Sequence, residues 1–181
     1  MIYGIINVLG DQVMRMKNIE EKQKRNVILE YMRVIVVTLL ITYIVLYFIQ
    51  ISKIQGSSME PTYHQGNVVI VEKIFYKMGK PSYNDIIVVD SHIENKNYIK
   101  RVVGLGGDHL EIKDGTLYRN GNLVQEKFLT QPMVDSDMVV DIPKGKIFVM
   151  GDNRNNSSDS RQLGYFDAKK DIIGKVVLKL F

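Results

Sequence analysis

The sequence predicts a mostly β domain, built on antiparallel hairpins, carried behind one N-terminal transmembrane helix. Three features lead there. The stretch VIVVTLLITYIVLYFIQIS, Val34 to Ser52, is apolar on all sides and holds no charge between Arg33 and Lys53. Beyond it the chain breaks into short β-branched runs of strand length. Within those runs, Asp114-Gly115 and Asn120-Gly121 are strong markers of two-residue hairpins.

Residues 1–33 form a cytoplasmic segment. Its first part, Met1 to Met14, reads either as a short amphipathic helix or as extra sequence ahead of an internal start. Residues 34–52 form the anchor: at about 1.5 Å per residue the run reaches about 28 Å, close to the hydrocarbon thickness of a bilayer. A buried core helix is the plainer alternative, and length with absence of charge favours a span. The run is too long for a cleaved leader, and no small-x-small site follows it. Arg15, Lys17, Lys22, Lys24, Arg25 and Arg33 precede the run, which predicts a cytoplasmic N-terminus and an outer location for everything after Lys53. Tyr43, Tyr47 and Phe48 suit an interfacial belt.

Residues 53–181 form the β-rich domain. Strands are expected at Asn67–Lys73, Asp85–Asp90, Tyr98–Val103, His109–Lys113, Thr116–Asn120, Lys146–Met150 and Ile172–Leu180, with a tight turn at Gly104, Gly106 and Gly107. A helical turn is expected only near Glu72 to Met78.

Composition narrows the chemistry. At 181 residues the chain is one domain with appendages, and 24 Lys+Arg against 20 Asp+Glu is too even a balance to point to nucleic acid. Without cysteine there is no disulfide, thiolate ligand or thiol nucleophile, and the compartment stays open. His64, His92 and His109 share no ligand spacing, so neither metal nor other cofactor is implied.

Three stretches are more specific than a generic sheet requires: GSSMEPT (Gly56–Thr62), YIKRVVGLGGD (Tyr98–Asp108) and GDNRNNSSDSRQLG (Gly151–Gly164). Taken singly, Ser58 is a turn serine near a proline, Lys100 a solvated lysine, and the third stretch a polar loop whose Asx residues bond their own backbone. Alternation along the second stretch puts Tyr98, Lys100 and Val102 on one strand face and Arg101 on the other. An inward lysine is desolvated. That matters because a serine hydroxyl needs a base, and a lysine of ordinary pKa, about 10.4, is only roughly 0.04% neutral at pH 7.

Together and in this order, the three stretches resemble bacterial type I signal peptidases, the membrane-anchored enzymes that cut secretory signal peptides, in their short Gram-positive form. The resemblance runs from Lys53 to the C-terminus. It implies a signal-peptidase-like antiparallel β-sheet or barrel domain, with Ser58 as nucleophile and Lys100 as general base. It further implies that Ser157 bonds and orients the lysine, and that Asp152 with Arg101 and Asp159 with Arg161 form structural ion pairs. The Ser58 backbone N–H is the secure oxyanion donor, because Gly56 stands where some relatives carry a second, hydroxyl donor. Other departures, Gly106 and Asn84, fall in loops. Substrate is expected to add as a β-strand between Lys53-Ile54-Gln55 and Asn97-Tyr98-Ile99, with Met59 lining small pockets that select Ala-like residues one and three places before the cut. The implied partners are signal peptides of secretory preproteins, the phospholipid bilayer and a neighbouring secretion translocon. Self-cleaving repressor proteases share such a core but lack a membrane span, and eukaryote-type signal peptidases carry His where Lys100 stands. A membrane-tethered protein that binds without cutting is the rival from another class.

Overall fold

The computed structural model describes residues 2–73, 79–92, 94–134 and 137–181, with side chains from Met14 onward. The chain divides into two compact units, Met1–Tyr47 and Phe48–Phe181. The first is a helix, α1, Ile2–Phe48, whose part from Met14 is long and apolar enough to cross a bilayer and buries no side chain within the protein. Tyr43 and Tyr47, one turn apart, stack at 6.3 Å between ring centroids.

The helix ends sooner than the apolar run does. Ile49–Lys53 is strand β1, paired antiparallel with β2 (Val68–Glu72), Ile51 opposite Ile70. The last four residues assigned to the span are therefore sheet edge; Gln50 and Ser52 alternate with Ile49 and Ile51 there, a strand pattern that the uninterrupted apolar run masked.

The remaining strands are β3 (Ile86–Ser91), β4 (Lys96–Leu105), β5 (His109–Lys113), β6 (Thr116–Arg119), β7 (Asn122–Leu123), β8 (Met138–Asp141), β9 (Lys146–Met150), β10 (Phe166–Asp167) and β11 (Ile172–Lys179). Among the described residues one short helix, α2 (Ser160–Leu163), interrupts them. Seven strands form one antiparallel sheet in the order β1-β2-β11-β3-β4-β9-β10, and four form a second in the order β7-β6-β5-β8. The two hairpins fall where expected: Lys113 faces Thr116 across Asp114-Gly115, and Arg119 faces Asn122 across Asn120-Gly121. All four turn residues have positive φ, the conformation that Asp-Gly and Asn-Gly tolerate. The turn expected near Glu72 to Met78 falls on residues 74–78, outside the described residues, while Glu72 closes β2.

Three apolar clusters hold the sheets. One packs Ile87 and Val89 of β3 on Val102, Ile147, Val149, Phe166 and Ile172. A second joins the sheets through Val103, Leu110, Ile112, Leu117, Met133, Phe148 and Met150. The third joins Ile54 to Val69, Val71, Val88 and Val176. Each fully buried Val or Ile contributes about 1.5–3 kcal/mol of transfer free energy, which holds the strands framing the site together.

β4 has a consequence for function. All of its length from Lys96 to Arg101 pairs with β3, but its ladder with β9 begins only at Arg101 opposite Met150. The half from Lys96 to Lys100 therefore keeps one open edge. β1 is open as well, being the terminal strand of its sheet.

Candidate active site

Ser58 sits in the loop that leaves β1. The Ile54 N–H donates to Asn67 O at 2.8 Å and the Gly66 N–H to Ile54 O at 2.9 Å, closing the loop at its neck. Inside it, Glu60 N–H reaches Ser57 O at 3.1 Å, Tyr63 N–H reaches Met59 O at 2.9 Å, and the Met59 side chain is buried. The Glu60–Pro61 peptide is cis. Gly56 has φ +81 with open space where a Cβ would stand, so the left-handed backbone explains glycine here, and no hydroxyl is offered from that position. Among the described residues the Ser58 N–H has no acceptor, which leaves it available to a ligand, whereas Ser58 O accepts from Asn153 N–H at 3.0 Å.

Lys100 arrives from β4, opposite Ile87, and is 2% exposed. Its Nζ donates to Ser58 Oγ at 2.7 Å and lies 5.2 Å from the Tyr98 ring centroid. Burial lowers its pKa to about 8; Asp159 and Asp152 pull it upward and Arg161 pushes it down, without cancelling the effect of burial. The alternation of β4 does what the sequence suggested, since Arg101 turns to the other face. Its Nε and Nη2 fork onto Asp152 at 2.7 and 2.6 Å, and Asp152 also accepts from the Thr62 hydroxyl. Thr62, in the loop that carries Ser58, is thereby tied to both β4 and the third motif.

That third motif wraps the pair. Asp159 caps α2 in a capping box with Gln162, accepts from Gly151 N–H at 2.9 Å, and takes Arg161 Nε and Nη2 at 2.8 Å each. Burial pushes the Asp159 carboxyl up, but the Arg161 fork and the Gly151 N–H outweigh it and hold the pKa low, with Ser157 contributing in the same direction. Gly151 has no room for a side chain: a Cβ would stand 2.2 Å from Ser157 Oγ and 2.5 Å from Ser58 O.

Two sequence expectations change here. Lys100 Nζ bonds Ser58, not Ser157; the Ser157 hydroxyl is buried without a regular hydrogen-bond partner, its nearest electrostatic effect being on Asp159. Ser157 packs against Gly151 and beside the Asp159 carboxyl instead. Asn155 and Asn156, for which the sequence favours the plain reading of a polar loop bonding its own backbone, reach outside their loop. Asn156 donates to Ser57 Oγ at 3.0 Å, and Asn155 donates to Pro132 O at 3.0 Å while accepting from Val134 N–H at 2.8 Å.

Beside Ser58 runs a groove of about 450 Å³, lined by Lys53, Ile54 and Gln55 on one wall and Asn97, Tyr98 and Ile99 on the other, with Met59 and Val88 also lining it. These walls are the open edges of β1's extension and of β4. The large sheet therefore curls until its first strand approaches its fifth, and every residue expected to touch substrate lines one cleft. Sequence reasoning overlooked Val88, Glu126 and Phe128, and it read Thr62 only as part of the turn that presents Ser58, without its bond to Asp152. Val88 is one apolar residue in an apolar strand, and nothing in EKFLT distinguishes Glu126 or Phe128.

The chain is a β-rich serine protease. It belongs to the signal peptidase family: the profile described as "Signal peptidase, peptidase S26" matches residues 28–181. Signal peptidase I of Bacillus licheniformis is 36% identical over 165 residues, covering 83% of this chain and 89% of that one. Signal peptidase I P of Bacillus subtilis subsp. natto is 36% identical over 174 residues, covering 90% and 94%. The crystal structure of a signal peptidase I from Enterococcus faecalis V583 superposes with a TM-score of 0.50 at 30% identity, covering 55% of this chain and 98% of that one.

Proposed function

We propose that this chain removes signal peptides from secretory preproteins at the outer face of the cell membrane, with Ser58 as nucleophile, Lys100 as general base and an acyl-enzyme between the two half-reactions. The observation that carries the reading is the 2.7 Å contact between Lys100 Nζ and Ser58 Oγ, made by a lysine 2% exposed. With a pKa of about 8, about one Lys100 in ten is neutral at pH 7, against roughly one in three thousand for an ordinary lysine.

In that neutral state the amine lone pair accepts the Ser58 proton as Oγ attacks the scissile carbonyl. The tetrahedral oxyanion is met by the partnerless Ser58 N–H. The Lys100 ammonium then returns its proton to the departing amine, which frees the mature chain and leaves the acyl group on Ser58. A water then attacks the acyl carbon as the again-neutral Lys100 takes its proton, and Lys100 passes that proton to Ser58 Oγ as the ester bond breaks, which frees the signal peptide and restores both side chains. Burial of Lys100 is what makes one side chain serve as base twice near neutral pH.

The substrate strand adds between the edges at Lys53–Gln55 and Asn97–Ile99. Apolar side chains at Ile54, Met59, Val88 and Ile99 leave room for small residues one and three places before the cut. The basic residues ahead of the span orient α1 with its N-terminus in the cytoplasm, which puts the site where a translocated leader ends and beside the secretion translocon. The test is cleavage of a model preprotein by the detergent-solubilised full chain, with the new N-terminus sequenced. Ser58→Ala and Lys100→Ala lose activity, Ser57→Ala keeps it, and the cut follows a small-x-small tripeptide. A cleaving Ser58→Ala overturns the assignment, and a parent that binds without cutting returns the tethered binding protein.

A further inference from the structure

We propose that Glu126, outside all three motifs, is a positioning residue for this reaction: through Arg154 it fixes the Gly151 turn against the backbone of the nucleophile. This rests on the Ser58–Lys100 reading.

Glu126 lies in the connection between β7 and β8. Its two carboxylate oxygens accept from Arg154 Nη1 and Nη2 at 2.6 Å each, with the side chains 8% and 1% exposed. The third guanidinium donor, Nε, holds Gly151 O at 3.0 Å. Two residues beyond Glu126, the Phe128 ring centroid lies 5.7 Å from Arg154 Cζ and 4.0 Å from Arg101 Cζ. The same connection is joined to the motif again at Asn155, and Met133 secures it in the core. A guanidinium buried this deeply needs its carboxylate; without it, Arg154 draws in water or swings outward and releases the Gly151 carbonyl.

Gly151 is where that displacement reaches the chemistry. It packs on Ser58 O closely enough to exclude any side chain, its N–H is held by Asp159, and two residues on, Asn153 N–H holds Ser58 O. The turn thus sets both the Ser58 backbone and the placement of Asp159 relative to Lys100. The charged and polar groups around Lys100 are Ser58 on the nucleophile loop, Tyr98 on its own strand, and Asp152, Asp159 and Arg161 on the third motif. The groove walls belong to other segments, so substrate binding is left alone.

The experiment measures kcat, KM, their pH dependence and Tm for the full chain in detergent with a model preprotein, comparing Glu126→Ala, Glu126→Gln, Arg154→Ala and the double Ala variant. Glu126→Ala is expected to lower kcat about 10- to 100-fold with KM within about twofold, the size of effect that a displacement on the order of 1 Å produces. The ascending limb of its pH profile shifts as water reaches Lys100. Glu126→Gln, whose amide oxygen still accepts from the guanidinium, recovers part of kcat, and in the Arg154→Ala background the Glu126 change adds nothing. A Glu126→Ala chain with lowered Tm but the parent's kcat and pH limb overturns the proposal and leaves a structural clip. If that variant does not fold, Glu126→Gln decides: parental kcat and pH limb refute the proposal, and a lowered kcat with unchanged KM upholds it. Undiminished cleavage by Ser58→Ala refutes the dyad itself, whatever Glu126 does.

Discussion

Replacing Lys100 by methionine should make the protein more stable and catalytically dead. Methionine keeps the length and fills the site without a charge. The buried ammonium has its pKa lowered from 10.5 to about 8, which corresponds to about 3 kcal/mol of destabilisation at pH 7, where the lysine is protonated in both the folded and unfolded states. Loss of the bond to Ser58 Oγ takes back about 1 kcal/mol. The net gain is about 2 kcal/mol, or roughly 4–8 °C in Tm for a domain of this size. The pH dependence is the sharper part. As pH rises from about 8 towards 10.5, the folded parent has released the proton and the unfolded chain still binds it, so the parent gains stability and the gap to Lys100→Met shrinks to under about 1 kcal/mol at pH 10. Thermal unfolding of both full-length chains in one detergent, followed by near-ultraviolet circular dichroism at pH 7, 8.5 and 10, measures that gap. A variant no more stable than the parent at pH 7, or a gap that stays constant with pH, would refute the claim that Lys100 is held in a desolvated site at the expense of stability.

Other consequences follow from the same contacts. Asp152→Ala strands the Arg101 guanidinium and should cost about 3–5 kcal/mol, read as a fall in Tm together with lost cleavage. Asp159 has a lowered pKa, so its contribution is present above the ordinary carboxylate range and disappears as pH falls through its depressed value; acid unfolding of Asp159→Asn should therefore converge on the parent's curve only at the acid end. Gly151→Ala forces a methyl into Ser58 O and Ser157 Oγ and should reduce kcat by about 100-fold or more while secondary structure, followed by far-ultraviolet circular dichroism, stays intact. Enlarging the groove floor with Val88→Phe should raise KM for a preprotein with alanine before the cut, with a smaller change in kcat.

How much of this was legible in the sequence depends on the range of the interaction. Hairpins at Asp114-Gly115 and Asn120-Gly121 are local chemistry, and they fall where they were expected. Lys100 could be placed on the face opposite Arg101 because a period of two needs only neighbours. β1 was hidden because the strand continues the apolar composition of the helix before it, and pairing with β2 decides the switch. Residues 160–163 looked like plain loop, since a single capped turn offers too little periodicity to detect. Ser157 was expected on the amine and packs against Gly151 instead, a matter of ångströms that spacing does not encode. Glu126 was invisible for the same reason: its importance lies wholly in an arginine distant along the chain.

The most direct test of the central claim is the pH dependence of kcat/KM for preprotein cleavage by the solubilised parent chain, between pH 5.5 and 10. A neutral Lys100 acting as base predicts an ascending limb with an apparent pKa of about 8, reporting the free enzyme. A limb near pH 6.5, the range of an ordinary histidine, or an activity that keeps rising to pH 10, would contradict the account and remove Lys100 from the role of base.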